Sequence, residues 1–169
     1  MIPGATTTDT ERVKEPRHIE PGSRVIVAED DAAFRFLLGE TVREEGFEVL
    51  SAANGSEALE LYRRNADKIS LAIVDVFMPE MNGLELLEKI YAVYPNIPVV
   101  VITAVHEVQI ALKAIKLGAY EFITKPPDTD RLLLTIRRAL DTKLLESERD
   151  SLRRSLLENK PSRRIFSDL

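Results

Sequence analysis

The stretch LAIVDVFMPEMNG, residues 71–83, decides how the chain is read. A run of apolar residues from Leu71 leads to a single carboxylate, Asp75. Val76, Phe77 and Met78-Pro79 follow, and then Asn82-Gly83, a pair suited to a turn and helix entry. A run that is apolar at every position, not at alternate ones, suits a strand buried on both faces. Its ending on a charge, followed at once by a turn, places Asp75 at the carboxyl end of such a strand. There the carboxylate is rigidly held yet open to solvent, and Met78-Pro79 fixes the loop that leaves it.

The same alternation recurs on either side. RVIVAE (24–29) is a short β-branched run. DAAFRFLLGETVREEG (31–46) carries Phe34, Leu37, Leu38, Thr41 and Val42 at helical spacing and stops at Gly46. FEVLSAA (47–53) reads as a strand, and SEALELYRRNA (56–66) as a helix with Ser56 as N-cap. After the strand 71–76 comes a helix over 82–95, closed by Pro95. IPVVVITA (97–104) is a strongly apolar strand, 106–118 a helix with a C-terminal glycine, 121–125 a strand, and 128–145 a helix. Five strands alternating with five helices predict an α/β, doubly wound, five-stranded parallel sheet with right-handed crossovers. Ligands of such sheets bind beyond the carboxyl ends of the strands, at the switch in strand order.

Bulk properties narrow the function. The 169 residues suffice for one domain and some extra length. A net charge of -5 argues against direct binding to nucleic acid. The absence of cysteine excludes a disulfide framework, a thiolate zinc site and a cysteine nucleophile. No secretory h-region opens the chain, and no run approaches about 18 apolar residues, so neither a signal peptide nor a membrane span is expected. Residues 1–22, rich in Thr, Pro, Glu and Arg, read as a flexible tail. Residues 23–142 form the folded domain, and 143–169 a helical extension or linker that lacks the length and pattern of a helix-turn-helix. Leu145, Leu152 and Leu156 make a stripe there, interrupted by Glu148 and Ser155. That is about two imperfect heptads, which fits a solvated helix or a dimerising one. His18 and His106 read as surface residues.

The strand ends bring chemistry together. The first strand ends in Glu29-Asp30, followed by Asp31; the third in Asp75; the fourth in Thr103-Ala104; the fifth in Lys125-Pro126. The second ends in Ala52-Ala53, with nothing reactive. Carboxylates held close repel, and one takes up a proton unless a cation neutralises them. A hard divalent ion with oxygen ligands answers this, and Mg2+ suits one or two carboxylates with waters and phosphate oxygens. Lys125 can pair with a carboxylate or a phosphoryl oxygen, and Thr103 can donate one hydrogen bond. A carboxylate nucleophile, a metal, a lysine and a hydroxyl are the parts needed to accept a phosphoryl group.

VIVAEDD (25–31), LAIVDVFMPEMNG (71–83), VVVITA (99–104) and GAYEFITKP (118–126), in this order and at successive strand ends, resemble the receiver domain of bacterial two-component response regulators. The helix 108–117 with GAYEFITKP looks most like receivers of sigma-54 activators of the nitrogen-regulatory type. The resemblance covers residues 24 to about 142 and implies a flavodoxin-like receiver fold. It implies that Asp75 is the phosphoacceptor, that Asp30 binds Mg2+ directly and Glu29 through water, and that the backbone carbonyl of Phe77 is a further metal ligand. It gives Thr103 and Lys125 the phosphoryl oxygens, makes Phe122 the aromatic partner of Thr103 in the switch, and makes Lys125-Pro126 cis. The implied partners are a sensor histidine kinase or phosphotransfer protein and a second copy, met through the fourth helix, fifth strand and fifth helix or the C-terminal helix. The implied setting is the cytoplasm.

Three positions depart from the commonest family pattern. Glu29 stands where Asp is more usual, and its extra methylene is expected to lengthen or weaken its metal contact. Phe77 and Val105, two residues past Asp75 and Thr103, are apolar where the attacking water passes, so slow self-dephosphorylation is expected, and no enzymatic turnover beyond it. Rival readings are a phosphorylation-independent interaction module and a phosphohydrolase with an aspartyl intermediate. The hydrolase is disfavoured by Phe77, since such enzymes usually carry a second Asp there. A nucleotide-binding domain lacks its glycine-rich loop after the first strand. The chain reads equally as a complete single-domain protein or as part of a longer regulator or kinase.

Overall fold

The computed structural model describes residues 23–104 and 106–158, apart from the side chains of 142–147. Ten elements alternate: β1 (Arg24–Ala28), α1 (Ala32–Glu44), β2 (Glu48–Ala52), α2 (Gly55–Asn65), β3 (Ile69–Asp75), α3 (Gly83–Val93), β4 (Val99–Thr103), α4 (Val108–Lys116), β5 (Glu121–Thr124) and α5 (Thr129–Glu158). The strands form one parallel sheet in the order β2-β1-β3-β4-β5. This is the doubly wound architecture that the alternation predicts. The order reverses between β1 and β3, so the switch lies at their carboxyl ends.

Successive strand residues feed opposite cores. Ile26, Ala72, Val74, Val99 and Val101 face a cluster closed by Ala58 and Tyr62 of α2, Leu86, Leu87 and Ile90 of α3 and Ala114 of α4. Val25, Val27, Leu71, Ile73, Val100 and Ile102 face the other, closed by Leu38 and Val42 of α1 and Leu132, Ile136 and Ala139 of α5. Double burial of β1, β3 and β4 is the reason their sequences are apolar throughout.

Some boundaries differ from the expected ones. Asn54, not Ser56, caps α2: its side chain accepts from the Glu57 N–H at 2.8 Å. Gly55 then opens the helix, and only glycine fits there, since a Cβ would stand 2.4 Å from the Met81 carbonyl oxygen. β3 starts at Ile69, ahead of the expected 71, because Ile69 pairs with Arg24. α5 runs unbroken to Glu158, well past the expected 145, so residues 143–158 continue the receiver-side helix. The segments 1–22 and 159–169 lie outside the described residues, as do His18 and Val105. His106 is exposed.

Candidate functional site

Register lines up the strand ends. Ala28 pairs with Val74, Asp75 with Ile102 and Thr103 with Thr124. Glu29, Asp75, Thr103 and Lys125 therefore stand on four adjacent strands at one edge of the sheet.

Glu29 is fixed from several sides. Its N–H donates to the Ala52 carbonyl at 3.0 Å. Arg35 Nη1 donates to its carbonyl at 2.7 Å, and the Asp31 N–H to its Oε1 at 3.1 Å. Asp31 in turn caps α1 by accepting from the Phe34 N–H. The other oxygen of the buried Glu29 carboxylate, Oε2, lies 2.6 Å from Lys125 Nζ. The Glu29 side chain thus spans from β1 to the lysine after β5, a reach that its extra methylene serves.

Asp75 is 6 % exposed. Its Oδ2 lies 3.0 Å from Lys125 Nζ, and its Oδ1 accepts from the Phe77 N–H at 3.3 Å. Gly83 lets α3 start against it: a Cβ there would stand 2.1 Å from the Asp75 carbonyl oxygen, so no side chain fits. Asn82 caps α3 through the Glu85 N–H, as a helix-entry residue should. Carboxylate oxygens of Glu29, Asp30 and Asp75 all lie within 4.8 Å of one another. Asp30 is exposed and the other two are buried, so the cluster opens to solvent on the Asp30 side. Three converging hard oxygen donors are a set that fits a divalent cation.

Lys125 donates its N–H to the Thr103 carbonyl at 2.8 Å, and the Lys125-Pro126 bond is cis. Thr103 is wholly buried, and its Oγ1 has no hydrogen-bond partner. A buried hydroxyl left unpaired is costly unless a ligand uses it. Burial pushes the Glu29 carboxyl up to about 7, against the lowering by Lys125 and the Asp31 N–H. Burial works to lower the Lys125 ammonium, but its hydrogen bonds and charge contacts with Glu29 and Asp75 outweigh that and hold it above its ordinary value. The lysine therefore stays charged and offsets two buried carboxylates.

Of the residues singled out from sequence, Glu29, Asp30, Asp75 and Lys125 are in one cluster, with Thr103 on the strand between Asp75 and Lys125. Phe77 stands beside Asp75 with 53 % of its surface exposed. Phe122 is half-buried on β5, packed against the cluster that contains Ala114 of α4. Two contributors escaped the sequence reading: Arg35, on the Glu29 carbonyl, and Phe34, whose ring centroid is 4.4 Å from Lys125 Nζ. Helical spacing marks Phe34 only as a core residue, which it also is.

The profile of the response regulator receiver domain matches residues 25–137. The chain belongs to this family. Among its relatives is the C4-dicarboxylate transport transcriptional regulatory protein DctD of Rhizobium meliloti, 39 % identical over 78 % of this chain and 28 % of that one. A cyclic di-GMP phosphodiesterase of Thermotoga maritima is 36 % identical over 78 % of this chain and 35 % of that one. The solved structure of NtrX from Brucella abortus is similar with a TM-score of 0.72 and 34 % identity, over 78 % of this chain and 30 % of that chain. DctD and NtrX are regulators of the sigma-54 kind that the motifs resembled. The chain spans about a third of the length of the curated relatives it matches. Receiver domains are the phosphoryl-accepting modules of two-component signalling; they meet histidine kinases or phosphotransfer proteins and bind Mg2+ at an acidic pocket of this kind. Among the described residues no helix is long and apolar enough to cross a membrane.

Proposed function

We propose that Asp75 takes the phosphoryl group from the phosphohistidine of a cytoplasmic partner kinase or phosphotransfer protein. The observation that carries this is the Asp75 carboxylate at the end of β3, bonded to Lys125 Nζ and clustered with Glu29 and Asp30. One carboxylate oxygen of Asp75 forms the new bond to phosphorus. The phosphorus–nitrogen bond of the donor breaks, and its electron pair stays on the imidazole. Lys125 and the Thr103 hydroxyl offer hydrogen bonds to the phosphoryl oxygens, where charge is concentrated. Glu29, Asp30, Asp75 and the Phe77 carbonyl would hold Mg2+, which when bound supplies neutralising charge and orients the donor phosphate. The test is intact mass spectrometry after incubation with acetyl phosphate and Mg2+. One phosphoryl adduct, lost on mild alkaline treatment and mapped to the peptide of Asp75, supports the reading. No adduct on the folded protein favours a module that signals without phosphorylation.

The new charge on Asp75 then draws Thr103 and Lys125, with Phe122 following Thr103. Moving such a switch from about 1 % to about 99 % active takes about 5.5 kcal/mol of differential interaction. The output face comprises α4, β5 and α5. Val108, Leu112 and Ile115 form an exposed apolar stripe at i, i+4, i+7 on α4, and Leu134 of α5 is exposed too. On the extension, Leu152 and Leu156 are 65 % and 69 % exposed and one turn apart. A second copy covers these surfaces. Leu152→Lys with Leu156→Lys is expected to weaken self-association of the phosphorylated protein at least about tenfold, read by sedimentation velocity; an unchanged dimer removes the extension from the interface.

We read the domain as 23–142, preceded by a tail and followed by a helical extension or linker. It has no turnover of its own beyond slow loss of the phosphoryl group. Phe77 stands where the hydrolytic water enters and offers it no hydrogen bond. Phe77→Asn is therefore expected to shorten the aspartyl-phosphate half-life about tenfold or more, since a positioned polar group typically contributes at least that. An unchanged half-life would show that the water arrives by another route.

A further inference from the structure

Among the described residues, Lys125 Nζ meets Glu29 Oε2 at 2.6 Å, Asp75 Oδ2 at 3.0 Å and the ring of Phe34, whose centroid is 4.4 Å away. The first two change character in the proposed reaction. Asp75 becomes an acyl phosphate and spreads its charge over the phosphoryl oxygens, and Glu29, which clusters with Asp30 and Asp75, would share its charge with a cation held there. The ring does not change. It is the third residue of α1, its N–H is tied to the capping Asp31 carboxylate at 3.0 Å, and its flank packs against the core beneath α1. A cation over an aromatic face is held by the ring quadrupole, and more firmly where water is scarce, as on a lysine side chain that is only 18 % exposed.

We propose that Phe34 is a positioning residue for phosphoryl transfer: its π face keeps the Lys125 ammonium at the phosphoryl site while the ionic partners of the lysine change. This rests on the role given to Asp75 and Lys125 above. An aliphatic residue of similar size would fill the same space and pack on the same core without attracting the cation.

The experiment replaces Phe34 with mono-, di- and trifluorophenylalanine, which keep the shape and weaken the quadrupole stepwise, and adds Phe34→Leu and Phe34→Tyr. Phosphorylation of Asp75 by acetyl phosphate at saturating Mg2+ is followed alongside thermal unfolding. The expected result is a rate that falls with each fluorine to about fivefold below the parent, a similar loss in Phe34→Leu, and a parent-like rate in Phe34→Tyr, with Tm nearly constant across the fluorine series. A rate that is flat across the fluorines, or a Phe34→Leu protein as fast as the parent, overturns the proposal. Nuclear magnetic resonance of the Lys125 ε-methylene decides the contact separately. Ring-current displacement in the parent that vanishes in Phe34→Leu supports it, and its absence in the parent overturns it. A parent that takes no phosphoryl group refutes the reading of Asp75 itself, and the positioning role of Phe34 with it, whatever the resonance shows.

Discussion

Asp75→Asn is expected to take up no phosphoryl group while folding as firmly as the parent. The amide nitrogen and oxygen lack the nucleophilic charge of a carboxylate, so the loss of chemistry is complete, not graded. The fold has little to lose. Asn keeps an acceptor for the Phe77 N–H, now at 3.3 Å from Asp75 Oδ1, and Lys125 keeps its shorter bond to Glu29 at 2.6 Å. Removing one charge also relieves Glu29, whose carboxyl is held up partly by the negative charge of Asp75. The stability change is therefore expected within about 1 kcal/mol of zero, in either direction. Intact mass after acetyl phosphate treatment and urea denaturation of the same sample test both halves. An adduct on Asp75→Asn would move the acceptor elsewhere, with Asp30 the first candidate because it is the exposed member of the cluster.

The main lines of the fold were legible because parallel strands buried on both faces leave a simple signal. Val25 to Ala28, Leu71 to Val74 and Val99 to Ile102 are apolar at every position and buried at every position. The acidic pair, Asp75, Thr103 and Lys125 were legible for a linked reason. In a parallel sheet all strands end on the same side, so residues far apart in sequence need only occupy strand ends to meet. What failed to show depends on contacts between elements. Asn54 and Ser56 both suit a helix cap. The choice fell to Asn54 because Gly55 must lie against Met81, a contact that no local pattern encodes. Phe34 carries the helical spacing of a core residue, and only the reach of the Lys125 side chain across the strand ends to α1 shows that its face also meets the ammonium. The reach of Glu29 to Lys125 likewise depends on side-chain geometry across strands, so the strand ends offer Lys125 a carboxylate without saying which one it meets.

Lys125→Met is expected to slow phosphorylation about 100-fold and to weaken the fold, more at high pH than at low. The kinetic loss is that of removing one preorganised donor from developing charge. The structural loss follows from Glu29. Burial raises its carboxyl from 4.5 to about 7, so the folded chain binds that proton more tightly than the unfolded one. Ionising Glu29 therefore costs stability. The cost is absent below about pH 4.5, grows as the pH rises towards about 7, and is constant above. Lys125 offsets it, being bonded to Glu29 and raised above its own ordinary value by the same contacts. Without the ammonium the Glu29 carboxyl climbs further, and the cost keeps growing beyond pH 7. Breaking a buried pair by removing one partner typically costs about 3–5 kcal/mol. Here the lower end is expected at about pH 8, since the lysine is 18 % exposed, and much less at about pH 5, where Glu29 is protonated in both proteins. Urea denaturation of parent and variant in chelator across that range measures the difference. A difference independent of pH would show that the stabilising partner of Lys125 is Asp75 and that Glu29 contributes little. Lys125→Arg separates the two roles: it keeps the positive charge beside Glu29, so stability is expected near the parent's. Its wider guanidinium cannot occupy the point where the ammonium meets Asp75, so the rate is expected to stay low.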